Sequence, residues 1–169
     1  MTLKSKHALV VEGGAMRGIF AAGVLDGFID HQYNPFDFCI GVSAGSTNLA
    51  SWLSNQRGRT YTITSDYSCQ PEFINFKKFA RGGHLLDLDW LWDHIALHYP
   101  YDMEAFGKQP LPFQVVTTDV ETGEPLYTQG EKDNIEELLK ASCSVPMAYR
   151  PPLRVNGRKM IQGGGGESI

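Results

Sequence analysis

The chain has 169 residues, a length that fits one domain of ordinary size. Its 15 basic and 19 acidic side chains give a formal net charge of −4, and general nucleic-acid-binding proteins instead present a net basic face. With 42% hydrophobic and 20% charged residues, the composition is typical of a globular protein and not of a disordered one. We therefore expect a single domain over residues 1–169 that does not bind nucleic acid.

The cysteines and the apolar stretches indicate where the chain resides. Cys39, Cys69 and Cys143 are scattered and lack CxxC spacing, which favours free thiols in a reducing compartment over a disulfide framework or a zinc site. The N-terminus shows no signal-peptide pattern. The longest uncharged stretch, residues 38–56, contains too many serine, glycine and asparagine residues to span a membrane. We expect a soluble, cytoplasmic protein.

The first third of the chain alternates between strand and helix patterns. A short apolar run at 8–11 is typical of a strand buried in a parallel sheet. A glycine-rich loop follows, and Phe20, Val24 and Phe28 then lie along one face of the next helix. In chain order the predicted elements are strand 8–11, helix 17–32, strand 38–42 and helix 44–55. This order predicts an α/β layered fold.

The remainder of the chain gives weaker patterns. One amphipathic helix is predicted within the ambiguous middle region, and capping-box spacing at 133–136 predicts the start of another. Asn156-Gly157 predicts a tight hairpin turn, because both positions of such a turn need positive φ values. The predicted elements are helix 85–99, strand 113–119, return strand 126–128, helix 133–142 and a hairpin of strands 153–155 and 158–161.

A serine lies between two glycines at the end of the second predicted strand. The sequence Gly41-Val42-Ser43-Ala44-Gly45 follows a strand and opens a helix, which is the context of a nucleophile elbow. Glycines on either side of such a serine allow strand and helix to approach closely, and the helix N-terminus favours a developing anion. The motif also occurs by chance in glycine-rich loops, but its placement favours a nucleophilic Ser43.

A second glycine loop, residues 12–18, also follows a strand and opens a helix. A dinucleotide-binding fingerprint is one interpretation, yet the middle glycine is replaced by Ala15 and no acidic residue ends the second strand. We favour a row of backbone N–H donors that stabilises an oxyanion above Ser43. Glycine turns on adjacent strands of one parallel sheet lie side by side at their carboxyl ends. A plain tight turn remains an alternative for this loop.

The base that would activate Ser43 is not evident from these motifs. None of the five histidines follows a strand end after Ser43, so a Ser–His–Asp triad is weakly supported. Asp119, at the end of the third apolar strand, is a carboxylate that could serve as the base. A structural role in the turn that contains Thr122 and Gly123 is the favoured interpretation of Asp119.

Taken together, these motifs resemble the patatin-like phospholipases, and within them the bacterial patatin-like proteins. The resemblance covers essentially the whole chain and rests on the glycine loop at 12–18, the elbow at 41–45, Ala-Ser-Cys-Ser-Val-Pro at 141–146 and Gln-Gly-Gly at 162–164. It implies a three-layer α/β/α sandwich with a mainly parallel central sheet, a Ser–Asp dyad, and neither a metal nor an organic cofactor. By position, Ser43 is the nucleophile, Gly41 and Gly45 belong to its elbow, and the oxyanion hole comprises Gly13, Gly14, Ala15, Arg17 and Gly18.

The chain departs from the family pattern in three places. Gln162 stands where the dyad aspartate is expected, and an amide can accept a hydrogen bond but cannot take up a proton at neutral pH. Ala15 replaces a third glycine, which preserves backbone N–H donation provided that its φ is negative. The chain ends shortly after Gly163–Gly166, so we expect a C-terminally truncated form of the fold.

Two weaker features bear on lipid contact. Phe73, Phe76 and Phe79 beside two lysines could form a lipid-facing lid, although core packing is the commoner fate of such a stripe. A basic cluster in the predicted hairpin could meet a phosphate headgroup, although a solvated face is the default. Its members are Arg150, Arg154, Arg158 and Lys159.

Three functions therefore compete. The first is a serine-dependent lipid acyl hydrolase that forms an acyl-Ser43 intermediate, acts on a lipid or other carboxylic ester and makes transient contact with a membrane surface. The second is a catalytically impaired fragment or pseudo-enzyme that keeps the ester-binding cleft, as Gln162 suggests. The third, a nucleotide-binding domain, is the least favoured because no acidic residue is placed to bind a ribose. The sequence does not determine the oligomeric state.

Overall fold

A computed structural model describes residues 6–165. Its six strands are β1 (Ala8–Val11), β2 (Phe38–Val42), β3 (Phe113–Asp119), β4 (Pro125–Gln129), β5 (Leu153–Val155) and β6 (Arg158–Gln162). Its α-helices are α1 (Ile19–Asp30), α2 (Ala44–Leu53), α3 (Arg59–Thr62), α4 (Phe76–Ala80), α5 (Leu88–His98), α6 (Met103–Lys108) and α7 (Ile135–Cys143). Short 3₁₀ turns cover Ala15–Gly18 and Gly163–Gly165, and a π-helical turn covers Ile63–Tyr67.

The strands form one six-stranded sheet whose centre is parallel. β1 pairs with β2 and β2 pairs with β3 in the parallel sense, with Val11 opposite Gly41 and Val42 opposite Val116. The strands that follow, β4, β6 and β5, join in the antiparallel sense. The α/β class predicted from the sequence is therefore confirmed, and the carboxyl ends of β1 and β2 lie side by side.

The register of β3 brings β2 and β6 together. Val116 pairs with both Val42 and Tyr127, so β2 and β4 lie on opposite edges of β3. Thr117 pairs with β4 and with Gln162, which places β6 on the edge that β2 occupies. Since β2 is parallel and β6 antiparallel to β3, the two strands approach each other end to end. Their carboxyl termini meet beside Val116 and Thr117.

The main core lies between the sheet and helices α2 and α7. Most of its fully buried side chains come from β3 and from the inward faces of both helices, and Cys39 of β2 and Val155 of β5 are buried with them. Burial of each such side chain contributes about 1.5–3 kcal/mol, which fixes both helices on the sheet. The largest of these side chains are Phe113, Leu49, Ile135, Leu138 and Leu139.

Two of the predicted apolar faces differ in the structure. Phe20 is 80% exposed and Val24 also faces solvent, because α1 packs against α2 through Ala22 and Leu25 instead. Strand β1 is not buried on both faces either, since Val10 is 42% exposed while Val11 is buried. The helix and the strand form where the sequence predicts them, but the predicted burial of Phe20, Val24 and Val10 is wrong.

The predicted helix starts also need correction. Helix α5 begins at Leu88, where Asp87 accepts a hydrogen bond from the Trp90 N–H, and not at residue 85. Helix α7 lacks the capping box predicted at 133–136, because the residue that precedes its first turn is Asn134 and not Asp133. The Asn134 side chain accepts the N–H of Glu131 and donates to a carbonyl of β4. The hairpin is confirmed: β5 and β6 pair across Asn156-Gly157, both with positive φ.

Within residues 6–165, no helix combines the length and the apolar character needed to cross a bilayer. The single domain over residues 1–169 stays a prediction. The glycine run continues into Gly166, which lies outside the described residues together with the rest of the chain end.

Candidate active site

Ser43 lies on a strained turn between β2 and α2. Its backbone has φ 50° and ψ −126°, a region that residues with a side chain rarely occupy, at a typical cost of about 1–3 kcal/mol. Hydrogen bonds hold the turn, since the Ser43 carbonyl accepts the Ser46 hydroxyl at 2.6 Å and the Ser46 N–H at 2.9 Å. The serine is 5% exposed and lines a cavity.

Both glycines of the elbow are required by close backbone contacts. A Cβ atom on Gly41 would lie 2.5 Å from the Cα of Ser46, and a Cβ on Gly45 would lie 2.1 Å from the Val11 carbonyl oxygen. No side chain fits at either distance. The predicted close approach of strand and helix is confirmed, and it also brings the elbow helix against the end of β1.

The glycine loop lies directly against Ser43. A Cβ on Gly13 would lie 3.0 Å from the Cβ of Ser43, and within residues 6–165 the N–H groups of Gly13 and Gly14 have no protein acceptor. Asn48 in α2 ties the far end of the loop, because its Nδ2 donates to the Gly18 carbonyl at 2.8 Å. The loop thus presents two free backbone donors near the serine.

Two members of the loop differ from expectation. Ala15 has φ 49°, so the negative φ that would make alanine equivalent to glycine there is not found. This left-handed conformation is one that glycine adopts at no steric cost, whereas alanine is strained in it. The Arg17 N–H donates to the Gly14 carbonyl at 3.0 Å in the 3₁₀ turn and is not free for an oxyanion.

The end of α7 holds the elbow from the opposite side. The hydroxyl of Ser142 accepts the Ser43 N–H at 2.8 Å and donates to the Val116 carbonyl at 2.7 Å, with no exposure to solvent. Burial raises the pKa of the neighbouring Cys143 thiol to about 12, an effect that a contact with the Ser43 hydroxyl partly opposes. This thiol therefore stays protonated and cannot serve as a base. The motif at 141–146 is part of the family resemblance, but the sequence gives no sign that Ser142 binds the Ser43 N–H.

Gln162 reaches the same cavity from β6. Its N–H donates to the Ser144 carbonyl at 3.1 Å, and its own carbonyl accepts the Thr118 hydroxyl at 2.8 Å. The backbone is thus fixed on two sides, while within the described part of the chain no hydrogen bond joins the side chains of Gln162 and Ser43. A Cβ on Gly163 would lie 2.2 Å from the Val116 carbonyl oxygen, so only glycine fits after Gln162.

The cavity above Ser43 has a volume of about 180 Å³ and is mostly apolar. Met16 from the glycine loop, Gln162 and Arg59 contribute to its wall with Ser43. No histidine among residues 6–165 lines it, and this part of the chain holds no cluster of three or more metal-ligating side chains. The apolar wall is formed by side chains such as Phe73, Leu88, Leu91, Trp92 and Ile95.

The alternative base, Asp119, is used in a turn. Its carboxylate accepts the N–H groups of Glu121 and Thr122 at 2.8 Å and 3.2 Å, and it lies 3.8 Å from the guanidinium of Arg158. It does not line the cavity of Ser43. The structural role favoured from the sequence is the one found.

The other candidate lipid contacts are divided between core and surface. Phe73 is buried in the cavity wall, whereas Phe76 is 71% exposed, so the predicted stripe does not act as one unit. The basic cluster is dispersed as well. Arg158 faces Asp119, Arg154 bonds the carbonyl of its own hairpin turn, and Arg150 lies over the ring of Phe79.

This arrangement of elbow, glycine loop and cavity has counterparts in known proteins. A family model described as patatin-like phospholipase matches residues 9–167. The chain belongs to the patatin-like phospholipase family. The uncharacterised protein YjjU of Escherichia coli K12 is 36% identical to this patatin-like chain over 165 residues, which cover 96% of the chain and 46% of YjjU.

A solved structure shares the patatin-like fold of the chain. The crystal structure of VipD from Legionella pneumophila matches with a TM-score of 0.54 and 15% identity, over 98% of this chain and 47% of that one. At this identity the likeness concerns the fold alone. The chain spans about half the length of both proteins.

Replacing Ser142 in this patatin-like chain with alanine is expected to lower the free energy of unfolding by about 1–3 kcal/mol, because the buried Ser43 N–H loses its acceptor. Chemical denaturation measures the change. Ser54→Ala is the matched control: this hydroxyl is also buried but has no partner among the described residues, so its loss should be nearly neutral. Equal losses in both variants would show that the hydrogen bond to Ser43 does not stabilise the elbow.

Proposed function

We propose that the chain is a serine-dependent lipid acyl hydrolase of the phospholipase or carboxylesterase type, with a catalytic step slowed by Gln162. The observation that carries the proposal is Ser43 on a positive-φ turn, at the wall of an apolar cavity and against Gly13 of a loop whose Gly13 and Gly14 N–H groups have no acceptor among the described residues. An apolar cavity suits an acyl chain, and preorganised donors suit a developing oxyanion.

The reaction would proceed in two steps through an acyl-serine. The Ser43 hydroxyl oxygen attacks the ester carbonyl carbon, its proton passes to a water molecule because Gln162 is not a base, and the backbone N–H groups of the glycine loop stabilise the oxyanion. Collapse of the tetrahedral intermediate breaks the ester bond, and the leaving oxygen takes a proton from water and departs as the alcohol. Water then attacks the acyl-serine by the same route and frees the carboxylic acid. No metal or organic cofactor enters this scheme.

Gln162 occupies the position of the base in this scheme. Its side chain lines the cavity with Ser43, but a neutral amide does not take up the serine proton at neutral pH. The second candidate function, a non-catalytic protein that keeps the ester-binding cavity, is favoured by this residue. For both candidate functions, the adjoining carboxyl ends of β2 and β6 would bring the residue at position 162 close to Ser43.

Contact with a membrane surface forms part of the proposal. Met16 lines the cavity and is itself exposed, and Phe20 projects from the start of the next helix. Exposed apolar side chains beside a cavity favour entry of an amphipathic substrate from a lipid surface.

Labelling with a fluorophosphonate tests whether Ser43 is activated. We expect slow labelling of the unaltered chain that Ser43→Ala abolishes, because the probe reacts only with an activated hydroxyl. Ser65→Ala, at an exposed serine outside the cavity, should leave the labelling rate unchanged. The absence of labelling both in the unaltered chain and in Gln162→Asp would instead favour the non-catalytic protein.

A further inference from the structure

Arg59, the first residue of α3, is a buried cation in the wall of the cavity that holds Ser43. It is 6% exposed. Its Nε donates to the Tyr99 carbonyl at 3.0 Å, its Nη1 donates to the Ser51 hydroxyl at 3.1 Å, and its guanidinium carbon lies 3.5 Å from the centre of the Tyr101 ring. All three partners are neutral groups.

No negative charge within residues 6–165 pairs with this guanidinium. Burial raises the pKa of the Tyr101 phenol, and although the Arg59 charge opposes that shift, the phenol stays neutral. Glu136 lines a narrow adjoining cavity but is exposed and forms no ion pair with Arg59. Arg57, two positions earlier, is instead exposed and bonded to Asp30 at 2.7 Å.

A buried charge without a counter-ion is costly, and an apolar cavity strengthens its attraction for an anion. The guanidinium has five N–H groups in a fixed plane, and the two protein acceptors above use only two of them. The guanidinium carbon lies over the Tyr101 ring, and this contact together with the two hydrogen bonds limits the movement of the group. The remaining N–H groups are therefore available to donate hydrogen bonds to a further oxygen ligand in the cavity that Arg59 lines.

We propose that Arg59 binds the anionic group of an amphiphile whose aliphatic chain occupies the apolar part of the cavity. The chemistry required is a carboxylate or phosphate attached to a short alkyl chain, because planar guanidinium groups bind both anions through paired N–H···O bonds. This ligand is either a fatty acid or the phosphate ester of a lipid. The inference rests on the proposed function only in using the same cavity, since binding requires no turnover.

Titration with three ligands of equal chain length tests the proposal. Octanoate, octyl phosphate and neutral octanol are added to the full chain, and binding is followed by the tryptophan fluorescence of Trp92 in the cavity wall and by calorimetry. We expect at least one anion to bind about tenfold or more tightly than octanol, because hydrogen bonds from a charged guanidinium to an anion are stronger than those to a neutral hydroxyl. Preference for octyl phosphate would identify a phosphate ester, and preference for octanoate a fatty acid.

Arg59→Met should abolish the preference for the anion and leave octanol binding within about twofold, whereas Arg57→Met, at the exposed paired arginine, should change neither. Arg59 also joins α3 to Tyr99 and Ser51, so the folding of the methionine variant is checked first by circular dichroism, and an unfolded variant is set aside. The comparison of ligands on the unaltered chain then decides alone. Equal affinity for octanol and both anions, or an anion preference that survives Arg59→Met, would overturn the proposal.

The test separates this proposal from that of the hydrolase. Ser43→Ala should keep the preference for the anion, since the serine hydroxyl is not its ligand. Fluorophosphonate labelling reports on the serine alone. Anion binding without fluorophosphonate labelling would therefore support the Arg59 site and contradict the proposed hydrolase. Labelling without a preference for the anion would support the hydrolase and contradict the Arg59 site.

Discussion

Replacing Gln162 with aspartate is expected to raise the rate of short-chain nitrophenyl ester hydrolysis by about a hundredfold or more, the usual lower range for a general base. The backbone at position 162 is fixed by bonds to Ser144 and Thr118, so the new carboxylate would enter the cavity that Ser43 lines. There it could take the serine proton as the hydroxyl attacks. Initial hydrolysis rates and fluorophosphonate labelling rates measure the gain.

Gln162→Asn is the matched control for this substitution. Asparagine has the length of aspartate but no proton acceptor of sufficient basicity, so its rate should stay at that of the unaltered chain. The higher hydrolysis rate of the aspartate variant should be lost as the pH is lowered and the new carboxyl becomes protonated, because only the ionised form acts as a base. An aspartate variant no faster than the asparagine variant would refute the assignment of position 162 to the dyad.

Gly45→Ala is expected to lower the free energy of unfolding by about 3 kcal/mol, at the upper end of what overpacking costs. The added Cβ would lie 2.1 Å from the Val11 carbonyl oxygen and 2.5 Å from that of Glu12, and both are backbone atoms that cannot turn aside. The end of β1 must therefore move, and the glycine loop with it. Chemical denaturation should show the loss, and labelling of Ser43 in the Gln162→Asp background should slow.

Gly23→Ala provides the comparison for a glycine that no contact constrains. Gly23 lies within α1 on the solvent side, and a Cβ there would meet nothing within 4 Å. Alanine should stabilise this helix by about 0.5–1 kcal/mol. If Gly45→Ala were as stable as Gly23→Ala and labelled at an unchanged rate, the close approach of the elbow helix to β1 would not be needed.

Local patterns of sequence were sufficient for the elbow and the hairpin. The turn at Ser43 depends on glycines two residues away on either side, and the hairpin depends on Asn156-Gly157. Such preferences act over a few residues and change little with tertiary context. The order of the strands, and with it the α/β class, followed from the same patterns, whereas helices α3, α4 and α6 of the middle region were not predicted.

Predictions failed where packing decides between two similar faces. The 3.6-residue period of α1 was clear, yet its small residue Ala22 faces α2 while Phe20 faces solvent. Likewise, the capping box predicted at 133–136 does not form, because α7 begins after Asn134, whose side chain bonds to the preceding loop. The residues adjacent to a side chain in the sequence do not determine which group it contacts after the helices and strands have packed together.

The sequence by itself determined that a strained serine would follow β2 and that a glycine loop would lie beside it. Only the tertiary structure decided what surrounds that serine, because the groups concerned are far apart along the chain. Ser142 reaches Ser43 across 99 positions, and β6 brings Gln162 to it only through the register on β3. Arg59 lacked any motif, and its proposed role in anion binding rests on burial in a shared cavity where no described carboxylate forms an ion pair with it.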